Sequence, residues 1–174
     1  LKQENGAYAV DYDALKRVVY TAMHFLDNVI EVNKYPLDLI EERTRSTRKV
    51  GLGVMGFADT LYRLSIPYNS EEGIAQAEKI MGFIQKHAHA ASEKLAQTRG
   101  AFPLFPESTY AGGTPLRNGT CTTIAPTGTI SIICGASSGV EPLFALSFVR
   151  NVMDHDALPQ VDEYFAEVAR REGF

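Results

Sequence analysis

Residues 120–131 read TCTTIAPTGTIS, and the reading of this stretch decides the fold class. Thr120 to Ala125 is rich in β-branched side chains, which suit a pleated, half-buried strand. Pro126 has no amide to donate and ends a central strand naturally. The Thr127-Gly128-Thr129 turn then leads into a helical start, so strand, turn and helix follow one another directly. This alternation predicts an α/β arrangement rather than a helical bundle.

The same pattern continues outward. Lys49 to Met55 reads as a glycine-punctuated strand and Phe57 to Leu64 as a short helix. Leu143 to Val149 is a further candidate strand, and Tyr164 to Arg171 a last helix. Two long helices flank these segments. In the first, Tyr12 to Val32, the residues Leu15, Val18, Val19, Ala22, Met23, Leu26, Val29 and Ile30 recur at three and four, an apolar stripe along one face. Asp11 or Asp13 caps its start, and Asn33 to Pro36 stops it, because a residue before proline is pushed out of the helical region. A short polar helix follows from Leu37 to about Arg45. The second long helix opens at Asn69 or Ser70, with Glu71 and Glu72 in the turn where the macrodipole favours negative charge. It carries Ile74, Ala77, Ile80, Met81, Ile84, Ala88, Ala91 and Leu95 on one face and runs to about Thr98, before Gly100. Ala101 to Arg117, with three prolines and two adjacent glycines, reads as a long surface loop.

Composition excludes several classes. With 17 Lys+Arg against 21 Asp+Glu over 174 residues, a formal charge of −4, the chain is neither a polybasic nucleic-acid binder nor an acidic tail. At 45% hydrophobic and 22% charged it is a globular composition of single-domain size, not a disordered one. Residues 1–174 are therefore expected to be one unit. The chain stops inside a helical pattern at Arg170 to Phe174, so a piece of a longer protein is expected. Cys121 and Cys134 make neither a disulfide framework nor a metal cluster, and a cytoplasmic setting is the default. The longest apolar windows are broken by Gly82, Gln85 and Lys86, well short of the ~20 residues a membrane helix needs. Neither a membrane nor a nucleic-acid partner is expected.

Gly51, Gly53 and Gly56 form a literal GxGxxG, the pattern that lets a dinucleotide's pyrophosphate approach a helix N-terminus. The context fails. The stretch just before Gly51 should be a buried parallel strand but carries Arg43, Arg45, Arg48 and Lys49, and Glu71 begins a helix instead of ending a second strand. Close packing explains these glycines better than an NAD-dependent dehydrogenase does. The four basic side chains themselves read as a solvated face or an ion-pair network before an anion or RNA site.

The turn at 125–131 offers more. Amides of Gly128, Thr129, Ile130 and Ser131 are placed to point at one anion, with hydroxyls from Thr127, Thr129 and Ser131 beside them. There is no lysine, so this is not the nucleoside-triphosphate P-loop. An N-cap with side-chain turns explains the same residues equally well. His87 and His89, two apart on a helix, point nearly opposite ways and share no metal ion. His24 and His155 are isolated. Glu141, before Pro142, is either a buried acceptor or a surface charge. The two cysteines read as ordinary core thiols rather than a redox couple.

Three stretches in this order, FLDNVIEVNKYP at 25–36, RKVGLGVMGFADTLYRLSIPY at 48–68, and TTIAPTGTISII with SSGVEPLFALSFVRNVMD at 122–133 and 137–154, resemble the large, catalytic subunit of ribonucleotide reductase. The wording APTGTIS with SSGVEPLFAL most resembles the adenosylcobalamin-dependent class. The resemblance implies the second half of a ten-stranded α/β barrel, helices packed outside the strands. It implies that Pro126, Thr127, Gly128, Thr129, Ile130 and Ser131 hold the substrate's diphosphate, and that the complete enzyme reduces ribonucleotides by thiyl-radical chemistry with adenosylcobalamin and a thioredoxin-like reductant.

The departures from the family are equally informative. The family's radical cysteine stands in an Asn-x-Cys-x-Glu context that occurs nowhere here, and Cys121 and Cys134 match neither reducing cysteine. No residue of this chain is therefore assigned a catalytic or metal-binding role. A lone half-barrel is expected to be inactive and to self-associate through open edges. The competing reading is a small α/β module that binds a phosphorylated metabolite without catalysis.

Overall fold

The computed structural model describes residues 1–4, 6–152 and 156–174. His155 and the end of the RNVMD stretch lie outside the described residues. Helices and strands are mixed, as the alternating pattern predicts. A hairpin of β1 (Lys2–Glu4) and β2 (Ala7–Ala9) opens the chain, and α1 (Tyr12–Val32), α2 (Asp38–Thr47), α3 (Phe57–Arg63) and α4 (Glu71–Arg99) follow. After a single 3-10 turn at Phe105–Glu107 come α5 (Gly128–Cys134), the antiparallel pair β3 (Ser147–Val152) and β4 (Asp156–Val161), and α6 (Glu163–Glu172).

The helices begin where their caps dictate. Asp11 accepts a hydrogen bond from the Ala14 amide at 2.8 Å, and Ser70 accepts from Gly73 at 3.0 Å. Each satisfies an amide that the first turn leaves without a partner. The long helices α1 and α4 pack together. Val19, Met23 and Ile30 of α1 meet Ile80, Ile84, Ala88 and Ala91 of α4, with Phe57 and Leu61 of α3 and Val50 and Cys121 closing the same core. The alanines let the helices approach closely, and each fully buried Leu, Ile or Met contributes roughly 1.5–3 kcal/mol.

Three expectations need correction. The segments Lys49–Met55 and Thr120–Ala125 are extended and parallel, but they reduce to one bridge, Leu52 with Thr122. Val50 and Leu52 donate to the carbonyls of Thr120 and Cys121, and Thr123 donates to that of Leu52. Among the described residues each segment has only the other beside it, too little to propagate a continuous ladder. The strand expected at Leu143 begins only at Ser147, and its partner β4 was not expected, because Pro159 within it argues against a strand. The apolar stripes are also wider than the face they bury, with Val18 61% and Ile74 62% exposed.

Gly51 and Gly53 owe their identity to the Thr123 segment rather than to a helix. A Cβ at 51 would lie 2.8 Å from the Thr123 side chain, and one at 53 would lie 3.0 Å from its carbonyl oxygen. The loop at 101–117 is irregular, as expected, but Phe102 and Leu116 within it are buried and joined by a hydrogen bond of 3.0 Å.

Candidate functional site

The parallel pair delivers residue 126 to the start of α5. Thr127 caps that helix in the left-handed region, φ 55° and ψ 24°, a conformation that costs a non-glycine residue about 1–3 kcal/mol and is kept only where its surroundings enforce it. The enforcing contact is local: the Thr127 hydroxyl accepts from the Gly139 amide at 2.7 Å. This leaves the hydroxyl's own proton free to donate.

Beyond Thr127, the amides of Gly128, Thr129 and Ile130 have no acceptor among the described residues, and all three residues are exposed. A Cβ on Gly128 would meet nothing within 4 Å. The fold does not itself require glycine there, and the space above the turn is open. Pro126 is exposed as well.

Ser131 sits differently from expectation. It is buried, its amide donates to the Thr127 carbonyl at 2.9 Å, and its hydroxyl lies 3.1 Å from the Gly128 carbonyl and 3.0 Å from the Ser138 hydroxyl. It holds the turn together and does not face an incoming group. The donor set is therefore three amides with the Thr127 and Thr129 hydroxyls, not four amides with three hydroxyls. Behind the turn, a cleft of about 520 Å³ is walled by Asp59, Ser131, Ser137, Ser138, Glu141 and Phe144. Glu141 is exposed, so its role is a surface charge.

The largest polar cluster lies elsewhere. Asp27, fully buried on α1, accepts from Arg48 and Asn118 on one oxygen and from Arg99 and Arg117 on the other. Glu31 bridges Arg45, Arg48 and Arg117 on the outside. Burial alone would push the Asp27 carboxyl up, but Arg48, with Arg99 and Arg117, holds it below the usual 3.8. The basic run at 43–49 is thus an ion-pair network at Arg45 and Arg48. A signal for it stood in the sequence: Asp27 falls between Met23 and Ile30 on the buried face of α1, where a lone charge needs partners.

The remaining candidates are structural. Cys121 is buried, and burial, opposed only by the nearby Ser92 hydroxyl, pushes its thiol up to about 11. Cys134, expected in the core, is exposed instead, because α5 is covered only on the face of Ser131. His87 packs on Phe83 and Tyr20, and burial, then Lys16 and Lys86, depress its basicity. His89 pairs with Gln85, and His24 with Arg99. Among the described residues no cluster of three or more His, Cys, Asp or Glu is placed to hold a metal ion, and no helix is long and apolar enough to cross a membrane.

A parallel extended pair feeding a helix through an open turn with three unpaired amides defines a chain of mixed helix and strand. The sequence model of the ribonucleotide reductase barrel domain matches residues 2–116 and 113–173, and the chain belongs to that family. It is 52% identical over 165 residues to a vitamin B12-dependent ribonucleoside-diphosphate reductase of Thermoplasma acidophilum, covering 94% of this chain and 22% of that protein. It is 48% identical to the enzyme of the same name from Mycobacterium tuberculosis, covering 95% of this chain and 24% of that protein. A more distant relative is the ribonucleoside-diphosphate reductase subunit alpha of Chlamydia pneumoniae, 31% identical over 82% of this chain and 17% of its own length. The chain thus spans about a quarter or less of the relatives it matches.

Proposed function

We propose that this chain is part of a vitamin B12-dependent ribonucleoside-diphosphate reductase and contributes the loop that anchors the substrate's diphosphate, Pro126 to Ser131. The observation that carries the site is the set of three unpaired amides at Gly128, Thr129 and Ile130, on exposed residues that follow the left-handed Thr127. A helix start with free amides favours an anion through both its donors and its dipole. Hydrogen bonds to a charged group contribute about 1.5–3 kcal/mol each. The open space at Gly128 suits the close approach of phosphate oxygens.

In this reading the chain is the second half of the reductase's α/β barrel, and the Leu52 and Thr122 segments are neighbouring barrel strands. Holding the diphosphate fixes the ribose against the radical-bearing part of the enzyme, a proximity effect. Adenosylcobalamin supplies the radical when bound to the complete enzyme. This chain's residues bind and orient the substrate, and a thioredoxin-like donor restores the reducing thiols. Alone, the chain is inactive, since the Asn-x-Cys-x-Glu radical cysteine is not in it, and it self-associates, because Ile124, Ile133 and Phe144 are 68%, 78% and 90% exposed. The working enzyme is cytoplasmic.

The test is kinetic and uses the complete reductase. Gly128→Val fills the open space, and Thr129→Val removes a hydroxyl. Both are expected to raise the KM for a ribonucleoside diphosphate and to lower turnover through misplacement. Unchanged kinetics in both variants removes the assignment of the turn. Deoxynucleotide formation that does not depend on added adenosylcobalamin removes the assignment of the class.

A further inference from the structure

The turn at 127–131 is held from outside as well as by Ser131. Residues 137–139, Ser-Ser-Gly, touch it at two points: the Gly139 amide on the Thr127 hydroxyl, 2.7 Å, and the Ser138 hydroxyl on that of Ser131, 3.0 Å. Gly139 lies so close beneath the turn, φ 47°, that a Cβ on it would stand 2.6 Å from the Ala125 carbonyl oxygen. The other side of the tripeptide is fastened to the start of α3. The Ser137 amide donates to Asp59 Oδ2 at 2.7 Å, the Asp59 amide donates to Ser137 Oγ at 3.4 Å, and the Gly56 amide donates to the Ser137 carbonyl at 2.8 Å.

We infer that Asp59 is a positioning residue for the anion-binding turn, acting through the brace Ser137-Ser138-Gly139. This rests on the function proposed above. Asp59 bonds Ser137 and no residue of the turn itself. Its carboxylate fixes Ser137, and Ser137 fixes the two neighbours that set the left-handed Thr127 and the buried Ser131. The brace thereby decides where the amides of residues 128–130 point. The bond is made by an accepting oxygen, not by charge as such, so a carboxamide oxygen at position 59 serves in its place.

The experiment compares Asp59→Ala, Asp59→Asn and Ser138→Ala in the complete reductase, with Gly128→Val and Thr129→Val alongside. It reads KM for a ribonucleoside diphosphate, kcat, the inhibition constant of inorganic pyrophosphate, and the melting temperature. Loss of one such bond is expected to raise KM and the pyrophosphate constant together by about fivefold in Asp59→Ala, with a smaller change in kcat. Asp59→Asn is expected to stay within about twofold of the parent, and Ser138→Ala to shift both constants in the same direction by about two- to threefold.

A merely structural Asp59 would lower the melting temperature and leave the constants of the folded enzyme alone, and that result overturns the inference. So does an Asn variant as impaired as the Ala variant. If Asp59→Ala fails to fold, Ser138→Ala decides, and unchanged constants in it overturn the brace. Silence in Gly128→Val, together with Thr129→Val, removes the turn itself. An effect in Gly128→Val with silence in Asp59→Ala and Ser138→Ala removes only the brace.

Discussion

Arg48 donates from Nε and Nη2 to the same oxygen of Asp27, at 3.0 and 2.7 Å, and both side chains are buried. Arg48 reaches this position from a left-handed backbone, φ 45° and ψ 40°, at the end of α2. Its carbonyl accepts from Asn118 Nδ2 at 3.2 Å. The pair thus joins α1 to the roots of both extended segments.

Removing one member of a buried ion pair strands the other charge, at a cost of about 3–5 kcal/mol. Asp27→Ala leaves Arg48 buried without its main partner. It is expected to lower stability by about that amount in denaturant titration of the complete protein, whereas Glu31→Ala, whose carboxylate is part-exposed, is expected to cost under about 1 kcal/mol.

Acid acts on the same site. The Asp27 carboxyl titrates below its ordinary 3.8 in the folded chain, so the unfolded chain binds a proton first. Its contribution to stability is complete above 3.8 and is lost as pH falls through the lower folded value. Melting temperature measured downward from pH 5 is expected to fall more steeply in the parent than in Asp27→Asn, which has no carboxylate to protonate.

The two glycines around the turn are expected to answer a small side chain in opposite ways. Gly139→Ala combines a positive φ with a Cβ 2.6 Å from the Ala125 oxygen and is expected to destabilise by at least about 1 kcal/mol. Gly128→Ala meets open space and is expected to leave the melting temperature within about 0.5 kcal/mol equivalent of the parent.

The thiols differ in access. Cys134 is exposed, while Cys121 is buried with a thiol pushed up to about 11. Because the thiolate is the reactive form, iodoacetamide at pH 8 is expected to label Cys134 in the native chain, and Cys121 only after unfolding. Mass spectrometry of timed samples reads the order directly.

The helices were legible because their signals are local. Asp11 and Ser70, each one of two candidates, fill the caps, and periodic apolar residues run between the observed ends of α1 and α4. The turn and helix start at 127–134 were legible as a pattern, whereas the strand before them is a single bridge, and the satisfied groups of the turn were not legible. That Ser131 turns inward depends on Ser138 and Gly128, a folded-back contact no window reveals. The Asp27 cluster draws on residues 27, 48, 99, 117 and 118, which only tertiary packing brings together. The β3–β4 pair was half legible, since Pro159 masked its second strand.

The left-handed residue at 127 has a kinetic corollary. Its unfavourable dihedral is met while the chain folds, held by the Gly139 amide, so under the proposed diphosphate role nothing is left to rearrange on binding. On that proposal encounter proceeds with the donors already oriented, and tighter capture is expected to register as slower departure of the nucleotide rather than faster arrival.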